Sequence, residues 1–224
     1  MVSIILSMVV CATSYFATYS SEANNALDFF KQNQEIKDSL KRDHSPEDAL
    51  LAMAIVAPEV SQFRSFTDWA QVRTLCLLYV NFNSSDFSVG YFQMKPSFVE
   101  KLECEVENDS LLRQRYSDIL IKPQKDESLS ASAIRSRRIA RITTLEWQIR
   151  YLSVFIAIAK QKTTSMNLST IDKLRYWATL YNSGFHLNGT RVKELQEAKS
   201  FPRRGKKFNY SDVAVEFYNK FVEQ

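Results

Sequence analysis

"SPEDALLAMAIVAPEVSQF", residues 45–63, carries the reading of the fold. Ser45 has the side chain of an N-cap, Pro46 suits a first helical position, and Glu47 and Asp48 put negative charge in the first turn. From Ala49 to Ala57 no face of this helix is polar. A helix that is apolar all round lies in the middle of its domain. Pro58 lacks an N–H and disfavours helical geometry at Ala57, so the helix is expected to end or kink there. Glu59 then follows directly, set against the core. A carboxyl group so placed is costly to ionise and its pKa is expected to rise, the condition of a general acid working near neutral pH. The competing reading is a helix-end glutamate that simply reaches solvent.

Working outward, amphipathic spacing predicts helices over residues 24–42, 66–82, 133–160, 169–182 and 211–222, with a further helix resuming near Pro96. "IKPQKDESLSAS" (121–132) reads as loop, and "FPRRGKKFNY" (201–210) as a basic, aromatic connection. Only four glycines and five prolines leave little room for turn-rich β structure. The expectation is a mainly α, single helical domain around a buried central helix, with little or no sheet. "MVSIILSMVVCATSYFATYSSEA" (1–23) opens with an apolar run of signal-peptide length, and Ser21-Glu22-Ala23 gives a small-x-small cleavage pattern. Residues 1–23 are therefore expected to be a signal peptide or N-terminal anchor, and 24–224 the domain. Cys76 and Cys104 are read as two separately buried thiols, a disulfide in an oxidising compartment being the alternative.

Two further stretches stand out. "SDFSVGYFQMKPSF" (85–98) is an aromatic, non-helical turn in a helical chain. Gly90 would permit close approach of a ligand or an unusual backbone angle. Gln93 offers an amide donor and acceptor, and Tyr91 and Phe92 offer faces for a pyranose ring; a buried turn with core aromatics is the plain alternative. "RYWATLYNSGF" (175–185) ends a helix at Tyr181-Asn182, with Gly184 placed as its C-terminal cap.

In order and character, Glu59, Gly90-Tyr91-Phe92-Gln93 with Pro96, and Ala178-Thr179-Leu180-Tyr181-Asn182-Ser183-Gly184 resemble the motifs of lytic transglycosylases and goose-type lysozymes. In that family a glutamate closes a buried helix, a Gly-Leu-Met-Gln turn follows, and Ala-x-Tyr-Asn-x-Gly ends a later helix. Here Val60 stands where the family carries Ser, and Tyr91-Phe92 replaces Leu-Met. The resemblance implies a lysozyme-like fold and cleavage of the bond between N-acetylmuramic acid and N-acetylglucosamine in peptidoglycan, with Glu59 as the single catalytic residue. It implies Ser88, Gly90, Phe92, Gln93, Tyr181 and Asn182 as substrate-binding residues. An inverting hydrolase would need a second carboxylate; Asp86 is the first candidate, with Asp68 behind it, and capping of the turn is the other role for Asp86.

No cofactor or metal is implied, because His44 and His186 lack ligand partners at useful spacing. The implied partner is the peptidoglycan strand, met by an exported monomer in the periplasm or cell envelope, with association to the envelope membrane open. A non-catalytic glycan-binding scaffold would keep the groove without the chemistry. The net charge of +4 is low for a dedicated nucleic-acid binder. Arg135, Arg137, Arg138 and Arg141, with Arg203, Arg204, Lys206 and Lys207, are read as solvated faces, so no nucleic acid is expected.

Overall fold

The computed structural model describes residues 14–63, 76–82, 86–122 and 129–223. The apolar run before Ser14, Cys11, and Asp68 with the first part of the helix expected over 66–82 lie outside the described residues. The described elements are α1 (Tyr15–Thr18), α2 (Ser20–Gln32), α3 (Glu35–Asp43), α4 (Pro46–Gln62), the helical residues 76–82 (α5), α6 (Pro96–Asn108), α7 (Ser110–Tyr116), a 3-10 turn (Ser117–Ile119), α8 (Ala131–Ile142), α9 (Leu145–Thr163), α10 (Thr170–Ser183), α11 (Gly189–Gln196) and α12 (Tyr210–Val222). Between α11 and α12 two short antiparallel strands pair, β1 (Lys199–Phe201) with β2 (Phe208–Asn209). The architecture is mainly α, as expected.

Helix α4 occupies the centre. The Ser45 side chain accepts the Asp48 N–H at its start, and Leu51, Ile55 and Val56 are fully buried. Each such side chain contributes about 1.5–3 kcal/mol of hydrophobic free energy. Helices α2, α3, α9, α10 and α12 all pack on α4. Asp48, buried at the start of this helix, accepts from Lys160 at 2.8 Å and from Lys173 at 3.5 Å. Burial pushes its pKa up, but these partners outweigh it and hold the carboxyl below its ordinary value.

Pro58 does not end α4. The helix runs through it to Gln62, and Glu59 lies in the last turn rather than beyond the helix. The ring sits where few further helical bonds are required, and the turn is tied from outside. Gln62 Nε2 donates to the Tyr15 hydroxyl (2.8 Å), which lies 2.6 Å from Ser61 Oγ, and Ser61 donates to the Pro58 carbonyl at 2.6 Å.

Those bonds also tie the N-terminal segment to the end of α4. Tyr15 and Ala23 are fully buried, and the backbone N–H groups of Tyr15 and Phe16 donate to the Glu216 carboxylate at 2.9 and 3.1 Å. Residues 14–23, within the segment expected to be a signal peptide or N-terminal anchor, thus pack against the helical domain.

Two expected long helices are each broken in two. The 24–42 helix breaks at Asn33, whose side chain donates to the Phe29 carbonyl at 2.7 Å in competition with the backbone. The 133–160 helix breaks at Thr143-Thr144, whose hydroxyls bond the carbonyls of Ala140 and Arg141 at 2.8 and 3.0 Å. The two cysteines are free, but Cys104 is exposed and Cys76 half-buried, so neither is a core thiol.

The arginine run is not a solvated face. Arg138 is buried and grips Glu103 Oε2 at 2.7 Å, Glu100 at 2.6 Å and the Tyr79 hydroxyl at 2.7 Å. Arg135 donates to the Val80 carbonyl at 2.7 Å, and the Arg141 guanidinium stacks 4.0 Å from the Trp147 ring centre. Arg138→Met would leave Glu103 buried beside an uncharged chain. Its expected cost is about 3–5 kcal/mol, read as a lowered urea midpoint, with Glu103→Gln added to Arg138→Met recovering part of it.

Candidate functional site

Glu59 is half-buried at the C-terminal end of the central helix. Burial raises its pKa from 4.5 to about 7, against the opposing pull of Arg203, the Tyr210 hydroxyl and Lys95. Tyr210, the first residue of α12, donates to the Ile55 carbonyl at 2.9 Å in the turn below. The same hydroxyl reaches the Glu59 carboxyl.

The aromatic turn is a miniature hairpin. Val89 and Met94 exchange backbone bonds of 2.9 and 3.0 Å, and residues 90–93 close the loop with Gln93 N–H donating to Gly90 O at 3.1 Å. Gly90 and Gln93 both have positive φ, +74° and +50°. Beneath the hairpin lies Gln148, fully buried near the start of α9. Its Oε1 accepts the Phe92 N–H at 2.9 Å and its Nε2 donates to the Ile142 carbonyl at 2.7 Å, the last residue of α8. A Cβ on Gly90 would lie 1.6 Å from Gln148 Nε2. The glycine thus clears a path for a protein amide, not for a ligand.

Helix α10 closes the other side. Tyr181 donates its hydroxyl to the Phe92 carbonyl at 2.7 Å, so the hairpin is pinned through Phe92 from both α9 and α10. Burial, with the Glu59 charge close by, holds the Tyr181 phenol well above its ordinary pKa and keeps it a donor. Its ring packs against Phe98 and Phe155, both at 5.3 Å between centroids. Gly184 caps α10 at φ +113°, its N–H donating to the Leu180 carbonyl at 2.9 Å.

These pieces enclose a cleft of about 230 Å³, lined by Glu59, Asp86, Gln93, Lys95, Tyr181 and Asn182 among others. Two larger clefts, of about 760 and 510 Å³, lie elsewhere and include none of the site residues expected from the sequence. Three widely separated motifs therefore meet at one surface depression.

No family model, curated protein or solved structure matches the chain. The site stands on its own geometry.

Several of the expected residues occupy places that alter or narrow their roles. The Phe92 ring is fully buried, so it offers no face to a sugar, and its backbone does the positioning instead. Tyr91 is clamped between Phe29 and Phe63, both with centroids 4.7 Å from its own. Ser88 and Gly90 belong to the hairpin and do not line the cleft. Gln93 lines it, but its Nε2 donates to Gly90 O at 2.7 Å, which leaves chiefly the Oε1 acceptor free. Asp86 also lines it, while accepting the Ser97 N–H at 3.3 Å near the start of α6 and pairing with Lys95 at 3.5 Å. That is the capping role. Tyr210, Gln148, Lys101 and His186 were not foreseen as site groups; Tyr210 and Gln148 carry no local signal because they act across the chain.

Two measurements test this geometry. Gly90→Ala should cost about 3 kcal/mol, from positive φ and the loss of the Gln148 bonds, read by urea unfolding. For Glu59, the folded pKa lies above the unfolded value, so the folded state binds more protons between about pH 4.5 and 7. Stability therefore falls as pH rises through that window. Glu59→Gln should gain on wild type by up to about 3 kcal/mol between pH 4 and pH 8, seen as a pH-dependent difference in unfolding free energy.

Proposed function

We propose that the protein is a lytic transglycosylase that cleaves the β-1,4 bond between N-acetylmuramic acid and N-acetylglucosamine, with Glu59 as its one acid and base. The observation that carries this reading is the Glu59 carboxyl, with a pKa of about 7, opening onto a cleft beside Tyr181, Asn182 and Gln93. At neutral pH about half of such groups hold a proton, and the rest hold a base of matched strength.

In this reading Glu59 gives its proton to the glycosidic oxygen as that bond breaks, and the substrate's own N-acetyl oxygen stabilises the sugar cation. Glu59, now a carboxylate, takes the proton of the sugar 6-hydroxyl. That oxygen closes on C1 and yields a 1,6-anhydro ring, with no water consumed. The exposed Asn182 amide and Gln93 Oε1 are placed to bond sugar hydroxyls or the acetamide. The Tyr181 hydroxyl is spent on Phe92, so Tyr181 shapes the wall instead of binding through its oxygen. The cleft is smaller than the roughly 300–1,000 Å³ of sites that engulf a whole small ligand. A polymer crossing an open surface, with one unit dipping in, suits that size.

Hydrolysis is the second reading, because Asp86 lines the same cleft. Its bonds to Ser97 and Lys95 weigh against a water-activating role. A peptidoglycan substrate also implies work in the cell envelope. Among the described residues no helix is long and apolar enough to cross a membrane.

Mass spectrometry of digested peptidoglycan separates the outcomes. Transglycosylation predicts anhydro-muropeptides, and hydrolysis predicts reducing ends heavier by one water. Glu59→Gln should lower turnover at least about 100-fold, and wild-type activity should decline above about pH 7 as the acid loses its proton. Equal, background release by wild type and variant would remove the enzyme reading and leave a glycan-binding protein.

A further inference from the structure

The cleft wall holds more positive charge than the acid needs. Lys95, Lys101 and His186 line it alongside Glu59 and Asp86. Lys95 is matched by Asp86 at 3.5 Å. Among the described residues no carboxylate forms an ion pair with Lys101, whose ammonium group lies 3.4 Å from His186 Nδ1. Arg203, exposed on the β1–β2 connection, adds a second cation whose field reaches Glu59.

The exposed His186 ring lies beside the end of α10. The ring folds back over the α10 cap, where a Cβ at Gly184 would come within 2.7 Å of His186 Cε1. The ammonium can only donate, so Nδ1 accepts from it and the ring proton sits on Nε2. Nε2–H is therefore a donor. An ammonium group and a ring N–H stand side by side, without an anion of their own, on the wall of a cleft whose acid is half protonated at neutral pH.

We propose that Lys101 and His186 form an anion subsite that takes a carboxylate carried by the glycan, so that the cleft prefers carboxylate-bearing strands to neutral polymers of N-acetylglucosamine. This deepens the peptidoglycan reading and rests on it for the identity of the sugar. Two sources supply the same chemistry. In strands stripped of peptide, each muramic acid exposes its own lactyl carboxylate. In strands bearing peptide that group is an amide, and the carboxylates belong to the peptide.

The test is calorimetric binding of three probes to the full chain: peptide-free glycan strands, peptide-bearing strands, and the neutral hexamer of N-acetylglucosamine. Wild type, Lys101→Met, Lys101→Arg and Lys162→Met are compared, the last removing an exposed charge outside the cleft. Wild type is expected to bind at least one charged probe about fivefold more tightly than the hexamer. Lys101→Met should erase that preference with hexamer affinity unchanged, Lys101→Arg should restore it in part, and Lys162→Met should leave it intact. Preference for the peptide-free strand assigns the lactyl carboxylate, and preference for the peptide-bearing strand alone assigns the peptide. Equal binding of charged and neutral probes by wild type overturns the proposal, as does a Lys101→Met loss of the same size for all three. Anhydro products without any charge preference would sink the subsite and leave the transglycosylase reading standing. Charge-selective binding without cleavage would do the reverse, and no binding to any probe overturns both.

Discussion

A helix with no polar face cannot touch water on any side, and α4 imposes that demand on the whole chain. Five other helices are arranged to cover it. The only ionisable groups that survive on it sit at its two ends, and they meet opposite fates. Asp48 at the start is surrounded by two lysines and stays charged. Glu59 at the finish has cations only at a distance and shares one phenol, so burial wins and the proton is retained to neutral pH. The contrast between two carboxyls on one helix comes from their neighbours, not from their depth alone.

Much of this was legible in residues 45–63. The cap at Ser45, the run of apolar positions and the carboxyl after Pro58 are local facts, and local chemistry decides them. The helix breaks at Asn33 and at Thr143-Thr144 were not legible. Asn and Thr tolerate a helix or interrupt it depending on which backbone group their side chains find. The second break is stabilised by Gln148, whose other end holds Phe92, 56 residues away in the chain. No window of sequence contains that pair.

The aromatic hairpin shows the same limit at the site. Its oddity was visible, and the position at which it joins Glu59 and Tyr181 followed from the motif order. The reason for its glycine did not, because the atom that would collide belongs to α9. Likewise the arginines of α8 look solvent-facing in sequence, but Arg138 is the hub of a buried network whose acids lie on α6. The lysines of the cleft and Arg203, by contrast, are exposed: Lys95 precedes α6, Lys101 lies within it and Arg203 sits on the β1–β2 connection.

Tyr210 makes the acid and the helix backbone compete for a single proton. A proline at 58 removes the N–H that would ordinarily answer the Ala54 carbonyl, and in the same stretch the Ile55 carbonyl takes the Tyr210 hydroxyl. When Glu59 is neutral, the phenol can remain with Ile55 and itself accept from the acid. When Glu59 ionises, the carboxylate bids for the same O–H, and any share it wins is subtracted from the backbone. The helix end therefore acts as a counterweight to ionisation, linking the charge state of one side chain to the hydrogen-bond ledger of the segment that carries it.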